Sequence, residues 1–157
     1  MNVQAMFETQ KKFNDTLSIN IELDSYKLRA RKNLQFQIIL SELANETICF
    51  NYLLETTKNI DIDKIFNKFI ACISQVLTLG IDHNYDHIES VDMIANDYCL
   101  SDQFLNLYID INDLIVSPSM DHYQTLFEDL LSLGLTLGFS EEEISHQFKK
   151  NLELALV

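Results

Sequence analysis

A chain of 157 residues, 47% hydrophobic and 10% aromatic, is long enough for one domain whose core buries roughly two-thirds of the surface that the unfolded chain exposes. Its formal net charge of -13 weighs against nucleic acid or an anionic membrane as partner, because such binding runs on lysine and arginine neutralising phosphates. Three cysteines with no Cys-x-x-Cys spacing and apolar neighbours, Cys49, Cys72 and Cys99, predict reduced, mostly buried thiols and a cytoplasmic location. The segment Met1 to Lys12 lacks the apolar stretch of a signal peptide, and no uncharged apolar run approaches the ~18 residues of a membrane span.

Three glycines and one proline leave little turn chemistry, and apolar residues recur at i, i+3, i+4 almost throughout, so the fold is read as all-α. A first helix covers about 2–17 and a long second one about 25–57, with Leu34, Ile38, Leu43, Ala44 and Ile48 as its stripe. A third spans about 61–79 on a broad face from Ile65 to Leu77, with Gly80 placed as a left-handed cap. Residues 82–89 read as a loop, followed by a short helix near 89–98 and a better one at about 101–115. Pro118 suits the first turn of a helix over about 118–137, since a missing N–H costs nothing there. Gly138 closes that helix, Ser140 with Glu143 forms a capping box, and Phe139 can staple to Ile144, opening a last helix at about 141–155. The sum is a single domain, a five- or six-helix bundle, and its widest stripes predict a homodimer that buries the excess.

Several residues stand out chemically. Glu42 and Glu46 lie one helical turn apart beside a core stripe, where a divalent cation can sit, against the plainer reading of solvated acids. Glu55, Asp61 and Asp63 are the nearest acids that could complete such a site. His83 and His87 have an i, i+4 spacing compatible with zinc if the segment is helical, against the reading of a polar surface loop. Gln10 and Asn14, also i, i+4, can read a base edge through their amides or simply be solvated polar side chains opposite the Met6, Phe7 and Phe13 stripe. Bases concentrate in Lys27, Arg29, Arg31 and Lys32, while none occurs between Lys68 and Lys149, so an anionic ligand should approach the N-terminal third or the last helix.

Three regions carry a resemblance to a known family: Gln10-Lys11-Lys12-Phe13-Asn14, then Glu42-Leu43-Ala44-Asn45-Glu46-Thr47 with Leu77-Thr78-Leu79-Gly80, then Leu137 to Ile144 leading into Lys149-Lys150-Asn151. In order and spacing they resemble the dimeric, all-α dUTPases of bacteria and their phages. The resemblance implies a helical homodimer, a deoxyuridine nucleotide contacted by Gln10, Asn14, Lys150 and Asn151, and magnesium held by E-x-x-E and E-x-x-D pairs on successive helices. In this register the four carboxylate positions fall at Ile39, Glu42, Lys68 and Ala71, so only Glu42 is kept. Basic and tryptophan positions of the family fall at Ile48, Asn51 and Leu53, and Leu154 stands at its later asparagine position.

The expectation is therefore a dUTPase-like protein with a mostly lost metal site, acting by binding a nucleotide or another protein. The alternatives are an active magnesium-dependent hydrolase converting dUTP or dUDP to dUMP with Glu42 and Glu46, and a purely structural interaction module.

Overall fold

The structure, a computed structural model, describes residues 1–55 and 58–156. It contains six helices in the order α1 (Gln4–Asn14), α2 (Ser25–Thr47), α3 (Ile62–Asp82), α4 (Leu100–Val116), α5 (Met120–Thr136) and α6 (Glu141–Ala155). Local chemistry starts most of them. Asp24 caps α2 by accepting from the Lys27 N–H at 2.8 Å, Asp61 caps α3, Ser119 caps α5, and α6 opens on the full capping box of Ser140 and Glu143. Such caps each contribute about 1 kcal/mol by satisfying amides that the first helical turn leaves open.

The elements pack around α3, which contacts α1, α2, α5 and α6, while α4 and α5 form a hairpin whose α4 also touches α2. This accounts for the broad apolar face of α3: Ile65, Phe69, Ile70, Ile73, Val76 and Leu77 are buried by helices of the same chain, so no second copy is needed to cover them. α3 is long and apolar enough to cross a membrane by length and composition, and 56% of its apolar window is buried inside the bundle. Of the cysteines only Cys72 is buried; Cys49 is half-buried and Cys99 exposed.

Several boundaries differ from the sequence expectation. α1 is shorter at both ends. α2 ends at Thr47 rather than near residue 57, because Thr47 Oγ1 turns back to Ala44 O at 2.8 Å and accepts from the Cys49 N–H, and Ile48 takes a left-handed φ of 57°. Residues 56 and 57 of the expected helix lie outside the described residues. The buried face of α2 is Asn33, Phe36, Leu40, Leu43 and Thr47, whereas Leu34 and Ile38 are about half exposed (55% and 48%) on the side that faces α4. Gly80 is not a cap. α3 continues to Asp82, and the left-handed residue of the following turn is Asn84 at φ 60°.

Residues 89–91 are extended and not helical, because they pair with the first residues of the chain: Val3 N–H donates to Glu89 O at 3.0 Å and Val91 N–H to Met1 O at 2.9 Å. Pro118 precedes the capping Ser119 and lies outside α5. Gly138, with φ +93°, does close α5. Phe139 then turns inward onto Phe66 and Phe69, with ring centroids 4.4 and 5.5 Å away.

Candidate functional site: a polar-floored pocket between α1, α2 and α3

The spacing that places Gln10 and Asn14 on one face of α1 turns that face toward α3, where Ser74 and Thr78 repeat the same i, i+4 spacing. The four side chains form one hydrogen-bonded chain. Ser74 Oγ donates to Gln10 Oε1 at 2.7 Å, Gln10 Nε2 donates to Asn14 Oδ1 at 2.9 Å, and Asn14 Nδ2 donates to Thr78 Oγ1 at 3.3 Å. Gln10 is only 1% exposed and so is not a solvated side chain; a buried amide of this kind is held in one orientation by its partners. Asn14 is half-buried; its carbonyl oxygen accepts from Gln10 Nε2 at 2.9 Å and from Thr78 Oγ1 at 3.4 Å, which leaves its second amide proton for a ligand.

This chain floors a pocket of about 360 Å³ whose walls are Phe13, Leu17, Ile19 and Leu28 and whose rim carries Arg31, Lys32 and Gln35. Apolar walls with a few convergent polar groups are the usual make-up of a small-molecule site, and the volume lies within the usual ~300–1,000 Å³. Lys32 Nζ is engaged by Asp82 at 2.8 Å, and Gln75 Nε2 ties the wall to Lys32 O at 2.9 Å. Among the described residues Arg31 has no carboxylate partner, which leaves its charge for an anion arriving at the rim.

Two of the residues expected here sit elsewhere. Lys150 is exposed on α6 and does not line the pocket. Asn151 lines a smaller cavity of about 170 Å³ with Asn67 and Ala71, behind Phe13 and Ser74, which border both spaces; its Oδ1 accepts from Gln147 at 2.8 Å. Arg31 belongs to the basic cluster expected to meet an anion, whereas Ser74, Gln75 and Thr78 were not expected here, although the Ser74/Thr78 spacing matching Gln10/Asn14 is a usable signal.

Farther along the α2–α3 groove, Glu42 receives the ammonium of Lys68 at 2.5 Å. Cys72 lies fully buried one turn beyond Lys68; burial, then the nearby Glu42 carboxylate, push its thiol well above the usual range, with Lys68 acting weakly in the other direction. Glu46 is paired with Lys58 at 3.6 Å, and Lys58 Nζ also donates to Asn45 O at 2.8 Å. Both carboxylates of the Glu42–Glu46 string therefore already face lysines. Asp61 is occupied in capping α3, accepting from the N–H groups of Asp63 and Lys64 at 3.2 Å each. Among the described residues no three His, Cys, Asp or Glu side chains converge on a common metal position.

His83 and His87 do not form an i, i+4 helical pair, since α3 stops at Asp82. His83 stacks on Tyr85 with centroids 5.4 Å apart, and burial followed by the Arg29 charge lowers its pKa, while His87 is exposed.

A dUTPase family model matches residues 2–155. The chain belongs to the dUTPase family, in its all-α form. No curated protein and no solved structure matches it. Members of this family usually bind deoxyuridine nucleotides.

A second group of acids lies on the α4–α5 hairpin of this dUTPase-family chain. Burial, then the facing carboxyl of Asp129 and the charge of Asp113, raise the Asp110 pKa from an ordinary 3.8 to about 7. The folded chain thus holds a proton that the unfolded chain releases, so this group's stabilisation is full below about pH 4 and lost as pH rises through 7. Asp110 is partly open to solvent, which screens the repulsion, so the loss should be roughly 1–2 kcal/mol. Denaturant unfolding in EDTA at pH 5 and pH 8 should show this difference, and Asp110→Asn should remove most of it.

Proposed function

We propose that this protein binds a deoxyuridine nucleotide in the α1–α2–α3 pocket without magnesium-dependent turnover, as a dUTPase-family homodimer whose metal site has been replaced by an ion pair. The observation that carries the reading is the contact between Glu42 and Lys68. In the family register Lys68 stands at a carboxylate position, and Ile39 and Ala71 at two others. The residues present do not fit a magnesium pair: one carboxylate remains, and the ammonium that neutralises it occupies the place where an ion would have to sit. Phosphoanhydride hydrolysis depends on cationic charge held on the phosphates and on an activated water, and a lysine bonded to its only carboxylate neighbour supplies neither a hard-ligand cage nor a base.

What supports nucleotide binding is the pocket floor. Gln10 is fixed by Ser74 and acts as a positioning residue, and Asn14 presents a free amide N–H that can donate to a pyrimidine carbonyl. Arg31 at the rim is placed for an anionic tail. The exposed apolar residues Leu34 and Ile38 on α2 and Leu105 and Ile109 on α4 support a dimer face next to the Ser41–Tyr108 hydrogen bond of 2.6 Å.

Calorimetric titration with a non-hydrolysable dUTP analogue in EDTA tests the reading. Saturable binding is expected, weakened at least about tenfold, or ~1.4 kcal/mol, by Asn14→Ala. Binding that requires magnesium, or that Asn14→Ala leaves unchanged, would contradict it, and no binding at all would leave protein interaction as the function.

A further inference from the structure

Resting on the nucleotide reading of the α1–α2–α3 pocket, we propose that Arg31 and Lys27 bind the phosphate tail of the nucleotide without a metal. The tail then leaves the pocket toward the N-terminal end of α2, away from the α2–α3 strip that holds Glu42 and Lys68.

A nucleotide bound over Asn14 has two directions in which to send its phosphates. One runs along α2 and α3 to Ile39, Glu42, Lys68 and Ala71, with Glu42 about 16 Å from Arg31 at 1.5 Å per helical residue. There Lys68 is spent on Glu42, and one turn farther along α2 Glu46 takes Lys58. Ile39 and Ala71 carry no charge, so a phosphate entering the strip meets lysines whose charge is already balanced.

The other direction leads over the pocket rim. Arg31 lines the pocket, is exposed, and makes no ion pair among the described residues. Lys27, at i, i+4 from it, lies about 6 Å along the same face of α2 and is likewise exposed and unpaired among the described residues. Asp24 does not neutralise it. That carboxylate caps the helix by accepting from the Lys27 backbone N–H at 2.8 Å. The remaining bases of the cluster are engaged elsewhere: Lys32 is held by Asp82 at 2.8 Å, and Arg29 sits near enough to His83 to add to the lowering of its pKa that burial begins.

The two side chains divide the work by their chemistry. A guanidinium presents a planar fork of N–H donors that matches two phosphate oxygens, whereas a lysine is a point charge on a flexible stem. Arg31 takes the phosphate next to the pocket, and Lys27, one turn out, takes those beyond it. The chain carries a net charge of -13, so this local cluster is what draws an anion to this end of the molecule.

Calorimetric titration of the whole protein in EDTA with deoxyuridine, dUMP and the non-hydrolysable dUTP analogue tests the assignment. Arg31→Gln should weaken dUMP at least about tenfold and leave deoxyuridine unchanged, because a charge-assisted contact to one phosphate is lost while the pocket floor is untouched. Lys27→Gln should weaken the triphosphate analogue about threefold and dUMP less, and Lys68→Gln should weaken none of the three. Arg31 and Lys27 are exposed, so their variants should fold, which thermal melts would verify. Nucleotide affinity unchanged in Arg31→Gln, an equal loss for deoxyuridine, or a loss in Lys68→Gln instead would overturn the assignment while the pocket reading stands. Failure of all three ligands to bind would overturn both.

Discussion

Ile39→Glu, Lys68→Glu and Ala71→Asp, introduced together, should raise magnesium affinity at the α2–α3 groove by at least about tenfold, or ~1.4 kcal/mol. The geometric ground is that Glu42 and Lys68 already meet across the two helices, so acids at 68 and 42 would face one another. Positions 39 and 71 lie one turn from each on half-buried sites, which brings four carboxylates to one strip. Without an ion the variant should be less stable than the parent, because an attractive pair becomes a cluster of like charges in a partly dry groove. With magnesium the thermal midpoint should rise, since an ion that binds only the folded state stabilises it by mass action. Calorimetry in parallel with melts reads both. A variant with no gain in affinity would mean that the family register assigned to α3 is wrong.

Gly80→Ala is expected to cost roughly 3 kcal/mol or more. A Cβ at this position would lie 2.3 Å from Tyr123 Oη and 2.5 Å from its Cζ, with Phe7 at 3.0 Å on the other side. Tyr123 has little room to move: it is fully buried, and its hydroxyl donates to Val76 O at 3.0 Å. Relief requires shifting α5 away from α3 or breaking a buried hydrogen bond, and overpacking a dense core typically costs 1–3 kcal/mol before any lost bond is counted. Gly138→Ala, by comparison, meets nothing within 4 Å and is penalised only through its φ of +93°, so about 1 kcal/mol is expected. Urea midpoints at constant slope separate the two. Near-equal stability of Gly80→Ala and the parent would show that the Tyr123 contact does not hold α5 in place.

Where a boundary depends on neighbours in sequence, it could be read directly. Ser140 and Glu143 cap α6 through each other, and Gly138 needs only its own missing Cβ to close α5. Where it depends on distant residues, local chemistry misled. Gly80 looks like a cap, but its glycine is required by Tyr123, 43 positions away, pressing on the helix. The stretch near 89–98 reads as a short helix, but residues 89–91 give their backbone groups to the chain start. α2 carries apolar residues on two faces, and periodicity alone could not tell that Phe36 and Leu40 face the core while Leu34 and Ile38 remain outside it.

The site divides in the same way. Gln10 and Asn14 were visible as a spaced pair of amides, and the family register brought Lys68 to a carboxylate position. That Lys68 reaches Glu42 is a fact of how α2 and α3 pack. Ser74 and Thr78 carry no distinctive chemistry until α1 is laid against α3. Lys150 and Asn151 followed from the register alone; Lys150 is exposed on α6, and Asn151 lines the neighbouring cavity behind Phe13 and Ser74.

The most direct test of the central claim is product release from dUTP with magnesium, measured on the purified parent chain beside titration of the non-hydrolysable analogue. Binding of the analogue with no magnesium-dependent release of pyrophosphate or phosphate is the predicted result. Magnesium-dependent turnover that disappears in Glu42→Gln would contradict it.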